Sequence, residues 1–230
     1  MHFEFTVEEK AGRKLFSCEL RGAVICGYTG RNQSAVLKHI EELKKEGIKP
    51  PPSVPMYYPK PAWGLSVDGE IHVQGAQTSG ELEFVLLLHN GTLYVGLGSD
   101  HTDRELEKLD IPKSKQVCQA VISQTLWSYD DIKDHWDQIE FRSWVTRNGE
   151  RFLYQQSTVA SMLTPEDLIA RVRARVPGEC EDLAIFSGTV PLLTDGFVYA
   201  DRFEGALLDP VLGRTIRLGY DVHTLEWFTA

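Results

Sequence analysis

One stretch in the first half of the chain has the hydrophobic pattern of a β-hairpin. Apolar residues run from Phe84 to Leu88 and resume at Leu93, and the pair Asn90-Gly91 separates them. An Asn-Gly pair between two apolar runs is the strongest short-range signal for a two-residue hairpin turn. The pattern therefore predicts that His89 faces Thr92, and that each step away from the turn adds one further pair.

Most of the remaining pattern also predicts β-strands. Residues 14–28 alternate between apolar and polar positions, and a second Asn-Gly pair stands at Asn148-Gly149 between apolar runs. Residues 183–218 are again rich in β-forming and turn residues. These segments outnumber the helical ones. The pattern therefore predicts an α+β fold with mainly antiparallel or mixed sheets.

A few segments have helical patterns instead. The clearest begins at the N-cap Thr164, with Pro165 in the first helical position and acidic residues after it. Another helix is expected to begin at the N-cap Ser34 and to end at Gly47. Its apolar stripe consists of Val36, Ile40 and Leu43. A shorter helix is expected over residues 130–136.

A proline-rich stretch follows the first predicted helix. Residues 50–52 are three consecutive prolines, and the extended segment 54–61 contains three more. Proline lacks a backbone donor and disfavours helix at the residue before it. We therefore expect a linker here. It would separate an N-terminal section, residues 1–70, from the main body of the protein, residues 71–230.

The composition narrows the classes of partner. The chain is 42% hydrophobic and 25% charged, as in ordinary globular proteins, and its net charge of −9 opposes binding to nucleic acid or anionic membranes. The N-terminus has no uninterrupted apolar segment, and the longest apolar run, Phe84 to Leu88, is too short to cross a bilayer. We therefore expect a cytoplasmic protein whose partners are small molecules or copies of itself.

Several reactive side chains are predicted to have structural roles. The four cysteines lack C-x-x-C spacing, so buried reduced thiols are expected, and Cys118 lacks a clear histidine partner that would make it a nucleophile. His101 should face the side of the hairpin opposite to its neighbour Asp100. His135 and Asp137 should lie at the end of the short helix.

Three acidic residues are expected to meet at the open end of the hairpin. The register places Glu81 opposite Asp100, and Glu83 shares the face of Glu81 because side chains alternate along a strand. Facing carboxylates repel each other and raise the pKa of at least one of them unless a cation binds. Oxygen ligands suit Mg²⁺ or Mn²⁺. The pattern therefore predicts a metal site here, and a solvated polar strand face is the alternative.

The order of short motifs along the chain resembles the fumarylacetoacetate hydrolase superfamily, and specifically its DUF2848 branch. Pro55–Pro61 is similar to the superfamily's proline-bounded stretch with phenylalanine and lysine. Glu81-Leu82-Glu83 matches its E-x-E metal pair, and Ser99–Arg104 matches its N-D-x-S-x-R motif. The remaining matches are the lysine segment Lys113-Ser114-Lys115, the N-G…Q pattern of Asn148-Gly149 and Gln155, and Ser187-Gly188-Thr189 for T-G-T.

This resemblance implies a fold and an assembly. The superfamily fold is a β-roll or sandwich of mixed and antiparallel sheets with a few peripheral helices. The resemblance also implies a homodimer, and the apolar and aromatic residues Trp63, Trp127 and Trp136 support this because they exceed what one small sheet obviously needs.

The resemblance also implies roles for individual residues. Lys115, or Lys113 in the other alignment, is expected to be the active-site lysine. His39 and Glu42 match H-x-x-E-[LM], and lie three residues apart on the lid helix as a water-activating base and its orienting carboxylate must. The residues expected to bind substrate are Gln155, Gly188, Thr189 and Arg104.

The implied function is metal-dependent chemistry on a small carboxylate. The resemblance indicates a 2-oxo acid substrate that reacts through an enolate, as in hydrolysis of a carbon–carbon bond in an acylpyruvate or decarboxylation of a β-keto acid. Two alternatives remain open at this point. One is a sugar-acid dehydratase or isomerase of the same superfamily, and the other is a non-catalytic member that binds a metal or ligand.

Overall fold

The computed structural model describes residues 1–45, 50–67, 69–178 and 180–226. Within the first helix, the side chains of residues 39, 42, 43 and 45 lie outside the described set. The strands in chain order are β1 (His2–Glu9), β2 (Gly12–Glu19), β3 (Gly22–Gly27), β4 (Met56–Pro61), β5 (Leu65–Ser66), β6 (Glu70–Val73), β7 (Thr78–Ser79), β8 (Leu82–His89), β9 (Thr92–Asp100), β10 (Thr102–Asp103), β11 (Ala120–Ile122), β12 (Thr125–Ser128), β13 (Glu140–Arg147), β14 (Glu150–Thr158), β15 (Leu183–Phe186), β16 (Arg202–Asp209) and β17 (Arg214–Thr224).

Helices are few and short, and they lie between these strands. The α-helices are α1 (Gln33–Lys45), α2 (Arg104–Glu107), α3 (Ile111–Val117) and α4 (Pro165–Arg173). The 3₁₀ segments are Ala62–Gly64, Tyr129–Asp131, Lys133–Gln138, Val159–Ser161 and Cys180–Asp182. The predicted α+β class with mainly β structure is confirmed.

Two sheets form the body of the molecule. The large sheet has the order β2-β1-β12-β9-β8-β15-β3-β4. Strand β11 also pairs with β9, and β5 pairs with β11. The large sheet is mixed, because β1 runs parallel to β12 and β3 parallel to β15 while most other pairs are antiparallel. The smaller sheet has the order β14-β13-β16-β17-β6. A short pair, β7 with β10, lies apart from both.

Strand β8 is buried on both faces, which explains its nearly continuous hydrophobic run. Phe84 and Leu86 point into a core shared with the smaller sheet, where Phe141 and Phe203 also lie. Val85 and its neighbour Leu87 point into a second core on the other side of the large sheet, together with the N-terminal strands. Burial of this much apolar area on both faces stabilises the strand that carries Glu83.

The first Asn-Gly hairpin has the predicted turn and register. Asn90 and Gly91 have φ angles of 49° and 75°, the left-handed values that a type I′ turn requires. His89 pairs with Thr92, and the ladder continues to Leu82 opposite Ser99. The hairpin at Asn148-Gly149 also forms, between β13 and β14, and contains a bulge between Ser143 and Trp144.

The helix predictions had mixed outcomes. Thr164 caps α4 as predicted, since its side chain accepts a hydrogen bond from the Asp167 amide. The predicted cap of α1 was wrong: the helix begins at Gln33, and Asn32 accepts from the Ala35 amide. The predicted stop at Gly47 lies outside the described residues. The predicted helix over residues 130–136 is wrong in type, because the segment forms two 3₁₀ turns with a break at His135.

The predicted linker is also wrong for residues 56–61. This segment is strand β4, which pairs antiparallel with β3 along its whole length. Prolines are tolerated there because β4 is the edge strand of the sheet. Strands from both sides of residue 70 therefore share one sheet, and the division into residues 1–70 and 71–230 stays a prediction.

Among the described helices, none has the length and apolar character needed to cross a membrane. The location in the cytoplasm stays a prediction.

Candidate metal centre

The open end of the β8–β9 hairpin brings three carboxylates together. The Asp100 amide donates to the Glu81 carbonyl at 3.1 Å, which extends the ladder one pair beyond β8. Each of Glu81, Glu83 and Asp100 offers an oxygen that lies within 4.8 Å of the others. The relative exposure of Glu83 is 1% and that of Asp100 is 0%. The alternative of a solvated polar strand face is therefore wrong for these two residues.

Helix α3 brings a lysine to the carboxylates. Asp110 caps this helix by accepting from the Lys113 amide at 3.1 Å, and Pro112 occupies its first turn. From the last turn, the buried Lys115 Nζ donates to Asp100 Oδ2 at 2.6 Å and to Glu81 Oε2 at 3.0 Å. Lys113 instead pairs with Asp110 at the surface. Of the two lysines left open by the alignment, the structure brings Lys115 to the carboxylates.

Lys115 carries a positive charge in this arrangement. Burial alone would lower the pKa of its ammonium group, but the negative charges of Asp100 and Glu81 raise the pKa above 10.5. The side chain is therefore suited to act as a cation that stabilises negative charge, rather than as a base.

Arg104 holds Glu81 from the other side. The buried guanidinium lies at the start of α2 and donates to Ser79 Oγ at 2.7 Å and to Glu107 Oε2 at 2.8 Å, and its Nη2 lies 3.2 Å from Glu81 Oε1. The ring of Phe197 covers it, with 4.1 Å between the guanidinium carbon and the ring centre. Burial would raise the pKa of Glu81, but Lys115 and Arg104 lower it to about 2.

Glu83 has the opposite electrostatic environment. Its Oε2 accepts a hydrogen bond from the Gly188 amide at 2.8 Å. Burial, followed by the negative charges of Asp100 and Glu81, raises the pKa of Glu83 well above its usual value. Burial is the larger cause of this raised pKa, and the carboxylate crowding expected from the register adds to it. A cation between the three residues would relieve this repulsion.

The Gly188 position accepts only glycine. Its φ is +85°, and a methyl group there would overlap Thr29 Oγ1 and would lie 3.0 Å from the Cys26 carbonyl oxygen. The Thr29 hydroxyl donates a hydrogen bond to the Ser187 carbonyl. This bond links the turn after β3 to the segment that contains Gly188. The amide that holds Glu83 is therefore positioned by backbone packing.

We expect Gly188→Ala to lower the free energy of unfolding by about 1–3 kcal/mol more than Gly149→Ala does. Both glycines have a left-handed φ, so both variants bear the same backbone strain. No atom of the described residues, however, lies within 4 Å of a methyl group at Gly149. The additional loss of stability in Gly188→Ala therefore measures the steric overlap with Thr29 and Cys26. Urea denaturation of the two variants tests this, and equal losses would contradict it.

Gln155 and Thr189 form a buried network behind Glu83. Gln155 Oε1 accepts from the Leu82 amide at 3.1 Å and from Ser143 Oγ at 3.0 Å, and its Nε2 donates to Thr189 Oγ1 at 2.8 Å and to the Val190 carbonyl at 2.7 Å. The Thr189 hydroxyl donates to the Leu82 carbonyl at 2.9 Å. These contacts fix both backbone groups of Leu82, the residue directly before Glu83. Substrate binding by Gln155, Gly188, Thr189 and Arg104 stays a prediction.

Lys60 belongs to the site, although sequence reasoning missed it. Its buried Nζ donates to the Cys118 carbonyl at 2.7 Å and to the Lys115 carbonyl, and it lies 3.8 Å from Asp100 Oδ1. Burial lowers the pKa of this lysine. The signal was present in the motif Pro55–Pro61, but that segment was interpreted as a linker. Lys60 positions the end of α3, and with it Lys115.

We expect Lys60→Met to lower the free energy of unfolding by about 2–4 kcal/mol, because two buried carbonyls lose their donor. Methionine keeps most of the length of the stem, so the loss reports on the ammonium group. Lys108→Met, at an exposed position, is the control and should change stability little. Thermal or urea unfolding of both variants checks the difference, and equal stabilities would show that the Lys60 contacts contribute nothing.

The proposed water-activating pair also stays a prediction. His39 and Glu42 belong to α1, but their side chains lie outside the described set. Their role therefore rests on the motif resemblance.

The other reactive side chains have structural partners. His101 forms hydrogen bonds to Tyr220 and Thr78. Burial, reinforced by the positive charges of Arg104 and Lys60, lowers the pKa of His101 to about 3.

The predicted buried state of the cysteines is confirmed, and burial raises the pKa of Cys118 to about 12. His135 pairs with Asp209 at 2.9 Å, and Asp137 binds Arg31 through two hydrogen bonds.

The residues present fit a divalent cation. Asp100 Oδ1 is buried and has no hydrogen-bond partner among the described residues, although Lys115 satisfies the other oxygen. A buried carboxylate oxygen without a donor is costly, and a metal ion would satisfy it. The group offers only carboxylate oxygens, which suit Mg²⁺ or Mn²⁺ better than metals that prefer thiolate or imidazole. Glu81, Glu83 and Asp100 would hold such an ion.

Several solved structures share the fold of this chain. They include the crystal structure of Cg1458 with inhibitor, with a TM-score of 0.66 and 17% identity over 93% of this chain and 81% of that chain. The apo form of 2-keto-3-deoxy-D-arabinonate dehydratase has a TM-score of 0.64 and 15% identity over 93% and 77%. Its complex with magnesium and 2,5-dioxopentanoate has a TM-score of 0.63 and 15% identity over 93% and 76%. Both proteins are members of the fumarylacetoacetate hydrolase superfamily, and this chain has the fold of that superfamily, as the motifs predict.

A family model classifies the chain more specifically than its fold does. The chain belongs to the family described as a protein of unknown function, DUF2848, whose model matches residues 26–220. No curated protein matches the chain.

Proposed function

We propose that this chain is a divalent-metal-dependent enzyme that acts on a small 2-oxo acid through an enolate. The observation that carries the proposal is the group of Glu81, Glu83 and Asp100, with the Lys115 ammonium at its edge. Within it, Asp100 Oδ1 is buried and accepts no hydrogen bond from the described residues. Mg²⁺ or Mn²⁺ bound there would supply Lewis acidity toward the oxo and carboxylate oxygens of the substrate.

Lys115 is the residue proposed to act on the reacting atoms. Its ammonium group stays protonated beside Asp100 and Glu81, so it can stabilise negative charge on an enolate oxygen and can deliver a proton from Nζ. Lys60 keeps the backbone of Lys115 in place through the carbonyl contact. Arg104 keeps Glu81 ionised and oriented.

The finer reaction that we propose is cleavage of a carbon–carbon bond. Decarboxylation of a β-keto acid needs a cation at the enolate and a proton donor, and Lys115 can provide both. Hydrolysis of an acylpyruvate also needs an activated water, for which His39 and Glu42 are the proposed base and orienting carboxylate. Gln155, Gly188, Thr189 and Arg104 are the residues proposed to orient the substrate carboxylate, and their positions around Glu83 and Glu81 support this.

Dehydration of a sugar acid is the second candidate. It is supported by the structural likeness to a dehydratase that was crystallised with magnesium and 2,5-dioxopentanoate. A protonated Lys115 also suits this reaction, because a leaving hydroxyl requires a proton. A dehydratase would not need the His39–Glu42 pair.

Purified protein should be assayed with Mg²⁺ and with Mn²⁺ against acylpyruvates, oxaloacetate and 2-keto-3-deoxy sugar acids, with EDTA as the control. Metal-dependent release of pyruvate or carbon dioxide would support carbon–carbon cleavage, and loss of water alone would support the dehydratase. Metal binding without turnover of any panel member would favour a non-catalytic binding protein.

A homodimer is also proposed, on the resemblance to the superfamily. The supporting argument from tryptophans needs correction, since Trp127 and Trp136 lie in the core and only Trp63, 64% exposed, offers surface. Light scattering at micromolar concentration should give twice the chain mass, and a monomeric mass would refute the proposal.

A further inference from the structure

The residues on either side of Asp100, Ser99 in β9 and His101 directly after it, contact the same hydroxyl group. Ser99 Oγ lies 2.8 Å from the Tyr220 hydroxyl, and His101 Nδ1 lies 3.0 Å from it. Side chains alternate along a strand, so Ser99 and His101 point away from the face that carries the Asp100 carboxylate. A single tyrosine therefore holds the residues before and after Asp100, on the face opposite to the Asp100 carboxylate.

Tyr220 is itself rigidly held. It lies in β17 of the smaller sheet with an exposure of 0%, and its ring stacks on Phe203 with 5.4 Å between ring centres. Gly80 leaves room for the hydroxyl, since a methyl group at that glycine would lie 2.6 Å from it. The smaller sheet thus supplies a fixed point against which the end of β9 is positioned.

The network reaches both chain segments that carry the carboxylates. His101 Nε2 lies 2.8 Å from Thr78 Oγ1 in β7, only three residues before Glu81. Within the plane of the sheet, Asp100 is held by the Glu81 carbonyl and by pairing with Ala120. The contacts through Tyr220 add the restraint perpendicular to that plane, which the backbone ladders cannot provide.

We propose that Tyr220 is a positioning residue for the metal centre, whose hydroxyl sets the place of Asp100 relative to Glu81 and Glu83. This inference rests on the proposed metal-dependent function. Among the described residues, the Asp100 carboxylate accepts a side-chain hydrogen bond only from Lys115, and Lys60 Nζ lies 3.8 Å from its other oxygen. The position of the carboxylate therefore depends strongly on the backbone that Ser99 and His101 hold. Groups that orient metal ligands without touching the ion commonly change metal affinity by 10- to 100-fold when they are removed.

The test is Mn²⁺ binding, measured by electron paramagnetic resonance of the free ion at neutral pH, in the parent and in Tyr220→Phe. Phenylalanine keeps the ring that stacks on Phe203 and removes only the hydroxyl. Tyr129→Phe is the matched control, because it also removes one hydroxyl from a buried tyrosine, there bonded to Glu166 at 2.7 Å. Circular dichroism of each metal-free protein shows whether the fold is kept.

We expect Tyr220→Phe to raise the Kd for Mn²⁺ by about 10- to 100-fold, and Tyr129→Phe to leave it within about twofold of the parent. An unchanged Kd in Tyr220→Phe, with only a lower melting temperature, would overturn the inference and leave the proposed function intact. Absence of Mn²⁺ binding by the parent would overturn both. If Tyr220→Phe does not fold, Ser99→Ala removes one of the two contacts, and a Kd equal to that of the parent would then overturn the inference.

Discussion

Lys115→Ala is expected to reduce turnover by at least about a thousandfold while the protein still binds its metal. The ammonium group is the nearest proton donor to the carboxylates, and removing a general acid that also stabilises an enolate typically costs this much. The metal ligands themselves stay in place. Their affinity for Mg²⁺ or Mn²⁺ should hold or rise, because Lys115 Nζ, at 2.6 Å from Asp100 Oδ2, no longer neutralises that carboxylate.

Lys113→Ala is the control for this experiment. Lys113 lies two residues away on the same helix, but its side chain pairs with Asp110 at the surface. Its loss should leave turnover and metal binding unchanged. Turnover should be measured on the best substrate of the panel, and Mn²⁺ affinity by titration. Normal turnover in Lys115→Ala, with loss in Lys113→Ala, would transfer the role to Lys113.

Addition of Mg²⁺ or Mn²⁺ is expected to raise the melting temperature, and Glu83→Gln should remove that response. A ligand that binds only the folded state stabilises it by mass action, by about 2.7 kcal/mol at a hundredfold excess over Kd. For a chain of this size that is a shift of about 5–10 °C. Glutamine keeps the length of Glu83 and can still accept from the Gly188 amide, so the metal-free fold should survive and lose some charge repulsion.

Glu70→Gln provides the comparison for Glu83→Gln. Glu70 lies exposed on β6, where its closest ionic neighbour is His223 at 3.7 Å, so its loss should leave the metal response intact. Differential scanning calorimetry with EDTA and with saturating metal separates the two variants. If the parent melts at the same temperature in both conditions, and Glu83→Gln alters neither melting nor turnover, the carboxylates do not form a metal site.

The hairpin that carries the site could be derived from the sequence because its determinants are local. Asn90-Gly91 selects a two-residue turn, and period-two alternation then decides which residues face each other. The grouping of Glu81, Glu83 and Asp100 followed from that register, before any three-dimensional information. The cap at Thr164 was predictable for the same reason, since it depends on residues within one helical turn.

The sequence could not reveal which distant segments of the chain contact each other. Lys60 joins the site because an edge strand that resembled a linker pairs with β3, and Tyr220 reaches Asp100's neighbours only because the smaller sheet packs on the hairpin. Burial of Glu83 likewise depends on two cores meeting at β8. Local patterns determined turns, registers and caps. Long-range packing determined which charged groups are buried away from water. That burial in turn determined which carboxylate has a raised pKa and which lysine stays protonated beside it.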